Sequence, residues 1–120
     1  MTMRKKILLV EDDDATRLGL ASFLERAGYD VVATESVQQG KSAMEQDQPD
    51  LIITDVRLGA FNGLQLIAMS PRPIPAIVTT GFPDSVLEAE ARQLGAEFLL
   101  KPIEPTGLLT LVADLLRSPS

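Results

Sequence analysis

Two hydrophobic rhythms alternate along this chain, and the alternation restricts its fold more than any other feature. Residues 6–10, 31–33, 51–53, 76–78 and 98–100 are short, nearly continuous apolar runs, the pattern of strands buried on both faces in a parallel sheet. Between them the apolar residues take helical spacing. Leu20, Phe23, Leu24 and Ala27 fall at i, i+3, i+4 and i+7, and Leu108, Leu111, Val112, Leu115 and Leu116 extend such a stripe further. Val37, Gly40 and Met44 form a shorter stripe, as do Leu87, Ala91 and Leu94. These segments predict amphipathic helices, and Glu88 and Arg92, four residues apart, support the fourth. The third, over residues 63–69, is short and ends at prolines.

Punctuation agrees with the rhythm. Asp14 is placed to cap the first helix and Gly28 to close it, Pro49 stops the second, and Pro71, Pro73 and Pro75 keep the third from running into the next strand. Five strand-helix units with short connections predict an α/β fold: a doubly wound, flavodoxin-like sandwich whose five parallel strands are ordered 2-1-3-4-5. The 120 residues, 45% hydrophobic and 23% charged, suit one domain covering 1–120. Residues 117–120 read as a tail or a truncated linker, and no output domain is expected within the chain.

Composition removes whole classes of chemistry. There is no cysteine and no histidine, so thiolate and imidazole metal sites, cysteine nucleophiles and imidazole bases are excluded. The longest aliphatic run, residues 7–10, is far short of the roughly 20 residues a membrane span needs, and the opening lacks a signal-peptide core. A cytoplasmic protein without a membrane role is expected. A net charge of −6 with one Tyr, four Phe and no Trp makes direct nucleic-acid binding by this domain unexpected.

In a doubly wound sheet, ligands bind beyond the carboxyl ends of the strands. The first run ends in Glu11, Asp12, Asp13 and Asp14, the third in Thr54 and Asp55, the fourth in Thr79 and Thr80, and the fifth in Lys101. Two carboxylates 4 Å apart repel by roughly 4 kcal/mol at an effective dielectric near 20, so Glu11, Asp12 and Asp55 together call for a cation or for raised pKa values. An all-oxygen donor set suits Mg²⁺ rather than Zn²⁺, and Mg²⁺ between carboxylates is a setting for phosphoryl transfer. Lys101, about two strand spacings or roughly 10 Å from Asp55, is expected to bridge to it only when the target protrudes, as a phosphoryl group would. Each residue also has a plainer reading. Asp55 and Thr80 are ordinary strand-end residues, Lys101 a solvated charge, and Phe98 core; Glu11 and Asp12 suit helix capping, although Asp13 and Asp14 suit it better. Thr79 reads as structural.

Taken in order, Ile7-Leu8-Leu9-Val10-Glu11-Asp12, Asp50-Leu51-Ile52-Ile53-Thr54-Asp55, Thr80-Gly81 and Lys101-Pro102 resemble the receiver domain of two-component response regulators, from Lys6 to about Leu116. The resemblance implies that Asp55 is the phospho-acceptor and that Asp12 binds Mg²⁺ directly while Glu11 helps through water. It further implies that the Arg57 backbone carbonyl completes the metal shell, that Thr80 and Lys101 contact the phosphoryl oxygens, and that Thr80 and Phe98 form the switch. It also implies a cis Lys101-Pro102 bond, which costs an X-Pro unit only about 0.5–1 kcal/mol. Gly59 and Asn62 replace the Pro and Asp frequent in the family, pointing to a more mobile loop after Asp55. Phe98 lacks the hydroxyl of the common Tyr, and Arg57 places a long cation where it would affect access to the acyl phosphate.

The expected function is therefore that of a phosphoprotein in a phosphorelay. Asp55 receives a phosphoryl group from a sensor histidine kinase or phosphotransfer protein with Mg²⁺, and the surface of the fourth helix, fifth strand and fifth helix switches, with a homodimer through that face. The domain assists its own phosphorylation and dephosphorylation and is not a turnover enzyme. The competing reading is a receiver-like docking module that works without phosphorylation. A hydrolase with an Asp nucleophile lacks a second carboxylate two residues beyond Asp55, and no G-x-x-x-x-G-K-[ST] or G-x-G-x-x-G stretch supports nucleotide binding.

Overall fold

A computed structural model describes residues 4–58 and 61–117. Gly59, to which part of the loop expectation was attached, and residues 118–120 of the tail lie outside the described residues. Five strands, β1 (Lys6–Val10), β2 (Asp30–Thr34), β3 (Leu51–Asp55), β4 (Ala76–Thr80) and β5 (Ala96–Leu100), alternate with five helices: α1 (Asp14–Arg26), α2 (Val37–Asp47), α3 (Gly63–Ala68), α4 (Ser85–Gln93) and α5 (Pro105–Leu116). The strands form one parallel sheet in the order β2-β1-β3-β4-β5, as the alternation predicts.

The strand period of two explains how one short run serves two cores. Ile7 and Leu9 face α1 and α5, joining Leu24, Ile53, Ile77, Leu108 and Val112. Leu8 and Val10 face the other way, joining Val37, Met44, Ile52, Leu64, Leu66 and Ala91 from α2, β3, α3 and α4. A central strand with helices on both faces therefore has no position for a polar residue except at its ends. Gly40 belongs in the α2 stripe because a Cβ there would stand 3.1 Å from Leu66 Cδ2 and from Val10 Cγ2. The missing side chain sets how closely α2 approaches the sheet.

Several boundaries differ from the sequence reading. Strands β3 and β4 continue past their apolar runs through Thr54 and Asp55, and through Thr79 and Thr80, because the ladder, not hydrophobicity, ends a strand. Asp13, not Asp14, caps α1: its extended backbone lets the carboxylate accept from the Thr16 amide at 2.8 Å and the Thr16 hydroxyl at 2.7 Å, while Asp14 is the first helical residue. Gly28 closes α1 as expected, at φ 105°. Helix α2 ends one step before Pro49, at Gln48, which takes a left-handed backbone. After Asp55 a two-residue antiparallel ladder pairs Arg57 with Asn62 and Leu58 with Phe61. Asn62 is well anchored there, since its side chain accepts from the Leu64 amide at 2.6 Å and its amide donates to Gln65 Oε1 at 3.2 Å, capping α3.

Candidate functional site

The carboxyl ends of β1, β3, β4 and β5 converge on one patch of polar side chains. Glu11 follows β1 and extends its ladder, donating its amide to the Thr34 carbonyl at 3.0 Å. Its side chain, 2% exposed, accepts from the Asp13 amide at 3.0 Å and from Lys101 Nζ at 2.7 Å. Asp55, the last residue of β3, is also buried; its Oδ2 accepts from Lys101 Nζ at 3.2 Å and its Oδ1 from the Arg57 amide at 3.3 Å. Asp12 is exposed at the rim. Glu11, Asp12 and Asp55 each bring one carboxylate oxygen within 4.8 Å of the others.

Lys101 corrects one expectation. It contacts Asp55 directly, with no phosphoryl group between them. Strand spacing measures backbone separation, whereas the Lys101 amide continues the β4-β5 ladder by donating to the Thr80 carbonyl at 2.7 Å and the side chain then reaches to the centre of the sheet. The Lys101-Pro102 bond that follows is cis. Burial pushes the Glu11 carboxyl above its ordinary pKa, against the opposing pull of the Lys101 and Asp13 hydrogen bonds. Burial alone would lower Lys101, but its hydrogen bond to Glu11 and the charges of Asp55 and Glu11 outweigh that and hold the ammonium above its usual value. One ammonium thus faces two buried carboxylates and a third at the rim, and the donor set available to a further cation is entirely oxygen. That chemistry fits a hard divalent ion.

Thr80 is buried at the end of β4, and its hydroxyl accepts from the Phe82 amide at 3.3 Å, which leaves its own proton free to donate. Thr79 is buried, its hydroxyl donating to the Thr54 carbonyl at 3.5 Å and its carbonyl accepting from the Val56 amide at 2.9 Å. Phe98 pairs with Val78 across the β4-β5 ladder and packs, half-buried, against the core on the α2, α3 and α4 side. Arg57, whose backbone amide bonds Asp55, is exposed and lies with its guanidinium carbon 5.3 Å from the centre of the Phe82 ring.

Three contributors escaped the sequence reading. Arg17 donates to the Glu11 carbonyl at 3.0 Å and pairs with Asp14, so α1 holds the end of β1 from six residues away. Gly63 opens α3 directly beneath the acceptor: a Cβ there would collide with the Asp55 carbonyl oxygen and stand 2.6 Å from Thr54 Oγ1. Phe82 holds both Thr80 and Arg57. The Arg17 pairing with Asp14 at i, i+3 is visible in sequence; the contacts of Gly63 and Phe82 depend on neighbouring loops and carry no periodic signal.

The family model for the response regulator receiver domain matches residues 7–113. The response regulator protein FleR of Pseudomonas aeruginosa is 34% identical, with the match covering 92% of this chain and 24% of FleR. The transcriptional regulatory protein FixJ of Bradyrhizobium diazoefficiens is 31% identical over 98% of this chain and 59% of FixJ. This chain thus spans between a quarter and three fifths of those relatives. Among solved structures, a CheY-like response regulator receiver domain from Methanospirillum hungatei superposes with a TM-score of 0.90 at 28% identity, covering 95% of this chain and 94% of that one. The BeF3-activated N-terminal receiver domain of Klebsiella pneumoniae RstA gives 0.87 at 25% identity, covering 95% and 100%.

Proposed function

Because this chain belongs to the response regulator receiver domain family, whose members are signalling modules of two-component systems rather than turnover enzymes, we propose that Asp55 is its phospho-acceptor. The observation that carries the reading is the placement of Lys101 Nζ on both Glu11 and Asp55 at the mouth of a buried carboxylate cluster. A carboxylate so placed is held in position and partly neutralised, yet each of its oxygens accepts a single hydrogen bond and keeps a lone pair for attack. Asp55 attacks the phosphorus of a phosphohistidine on a kinase or phosphotransfer protein; the P–N bond breaks, its electron pair stays on the imidazole, and a P–O bond forms to Asp55.

Most of the catalysis in such a transfer is positioning and charge neutralisation. Asp12 and Asp55, with the Arg57 backbone carbonyl and with Glu11 through water, would hold Mg²⁺; when bound, the ion neutralises charge on the transferring oxygens. Lys101, released from Asp55 by the new group, and Thr80, with its free hydroxyl proton, receive the phosphoryl oxygens. The added charge, roughly −1.5 to −2 by analogy with other phosphorylated side chains, draws both toward Asp55 and biases Phe98 and the face of α4, β5 and α5. Val86 and Leu100 are exposed on that face, 64% and 48%, where a partner or a second copy of the chain would dock.

Incubation with acetyl phosphate and Mg²⁺ followed by intact mass measurement tests the assignment. One phosphoryl adduct is expected on the wild type, none on Asp55→Asn, and none on the wild type after chelation. An unmodified wild type would replace this reading with that of a docking module independent of phosphorylation.

A further inference from the structure

Asp12 is the carboxylate of the cluster with the least protein around it. It is exposed, and it takes part in no ion pair among the described residues. Its direction is therefore set by its backbone, above all by the peptide unit that joins it to Glu11. The amide of Glu11 is tied to β2 through the Thr34 carbonyl, but that amide belongs to the preceding peptide unit. The Glu11 carbonyl, which lies in the plane shared with the Asp12 amide, accepts from Arg17 Nη1 at 3.0 Å. One side chain of α1 thus fixes the link between two of the three carboxylates.

Arg17 is placed for that contact. Helical side chains lean toward the helix N-terminus, which carries the guanidinium from the first turn of α1 back to the end of β1, and the side chain is only 15% exposed. Its Nη2 pairs with Asp14 at 2.5 Å, and Nη1 lies 3.8 Å from Glu35 in the turn after β2. The fork therefore spans the end of β1, the start of α1 and the turn after β2. A planar guanidinium with five donors has that reach, and a single ammonium lacks it.

We infer that Arg17 is a positioning residue for the metal: by holding the Glu11-Asp12 peptide unit it keeps the Asp12 carboxylate beside Asp55, and so raises the affinity for Mg²⁺ although it is itself a cation. The inference rests on the reading of Glu11, Asp12 and Asp55 as a Mg²⁺ site. Charge and position act in opposite directions here. A guanidinium near the cluster repels a divalent ion, so its charge alone would weaken binding. A hydrogen bond that orients a ligand removes an ordering cost otherwise met when the ion arrives, and loss of such a contact costs metal sites about tenfold or more in affinity. Position outweighs charge because Asp14 and Glu35 already meet the charge of Arg17, whereas no other side chain among the described residues donates to the Glu11 carbonyl.

Titration calorimetry with MgCl₂ on the unphosphorylated wild type, Arg17→Lys and Arg17→Gln separates the two effects, with thermal unfolding confirming that each is folded. Arg17→Lys keeps the charge and loses the fork, so its dissociation constant should rise about tenfold. Arg17→Gln loses both and should bind more weakly than wild type, but less so than Arg17→Lys. In metal-free buffer, hydrogen exchange of the Asp13 amide, which donates to Glu11 Oε2, should quicken in Arg17→Lys, while that of the buried Leu24 in α1 stays at the wild-type rate. An Arg17→Lys dissociation constant equal to that of wild type, or an Arg17→Gln constant below it, overturns the proposal, since either makes Arg17 a charge and no more. Equal acceleration at Asp13 and Leu24 overturns it too, by making Arg17 a support of the whole helix. A wild type that takes up no Mg²⁺ overturns instead the metal reading on which the inference rests.

Discussion

Lys101 shows what a single side chain settles at the residue scale. Glu11, Asp12 and Asp55 are close enough to repel, and one ammonium serves two of them. The folded state therefore retains uncompensated negative charge, mostly on the exposed Asp12, where solvent screening limits the cost to about 0–1 kcal/mol. Asp12→Asn is expected to raise the thermal midpoint in metal-free buffer by a few degrees. Mg²⁺ is expected to stabilise the wild type, by about 2.7 kcal/mol at a hundredfold excess over its dissociation constant, and to have much less effect on Asp12→Asn. Calorimetry with and without the ion measures both; a wild type indifferent to Mg²⁺ would remove the metal from the account. The polar residues of this cluster were legible in sequence because each lies within two residues of the end of an apolar run. Their partnership was legible only in part, since the reach of Lys101 depends on the path of a side chain rather than on the spacing of strands.

At the scale of the element, the caps carry distinguishable chemistry. Ser36 caps α2 through its hydroxyl, which accepts from the Gln39 amide at 3.1 Å, and Asp13 caps α1 through a carboxylate whose pKa its Thr16 hydrogen bonds hold below the ordinary 3.8. Ser36→Ala should cost about 1 kcal/mol at every pH. The Asp13 contribution has a depressed folded pKa, so it is fully present above pH 3.8 and is lost as pH falls through the lower folded value. The midpoint difference between wild type and Asp13→Ala should accordingly shrink in acid while that of Ser36→Ala persists; thermal melts from pH 6 down to pH 2.5 would expose a parallel loss of both as a failure of this assignment. Elements of this kind are written locally, which is why the five strands and five helices could be placed from the chain alone. Their ends were misplaced where a polar residue continued a ladder, as Thr54 and Thr80 do, or where backbone conformation rather than residue type made the stop, as at Gln48.

The whole molecule is two cores sharing one sheet, and the sharing has a thermodynamic consequence. Leu8 and Leu9 are neighbours in β1, both almost completely buried, and they serve opposite faces. Leu8→Ala and Leu9→Ala should each cost about 2–5 kcal/mol. Tyr29 packs only against the α1 and α5 side, so its fluorescence reports on one core; in urea its transition should nonetheless coincide with that of far-ultraviolet circular dichroism in the Leu8 variant. Separated transitions would mean that the cores unfold independently. The doubly wound order itself was readable from the alternation of strand and helix, whereas the contact between Arg57 and Phe82 was not, because it joins two loops that meet only after the sheet has assembled. That order also leaves β2 and β5 at the margins, each with one row of backbone donors and acceptors unpaired within the sheet. Such a row is a template for self-association into extended aggregates, and each margin carries an exposed carboxylate, Asp30 on one and Glu97 on the other. Two copies meeting margin to margin would bring like charges together, so the sheet resists growing by further strands and leaves its helical faces for specific association.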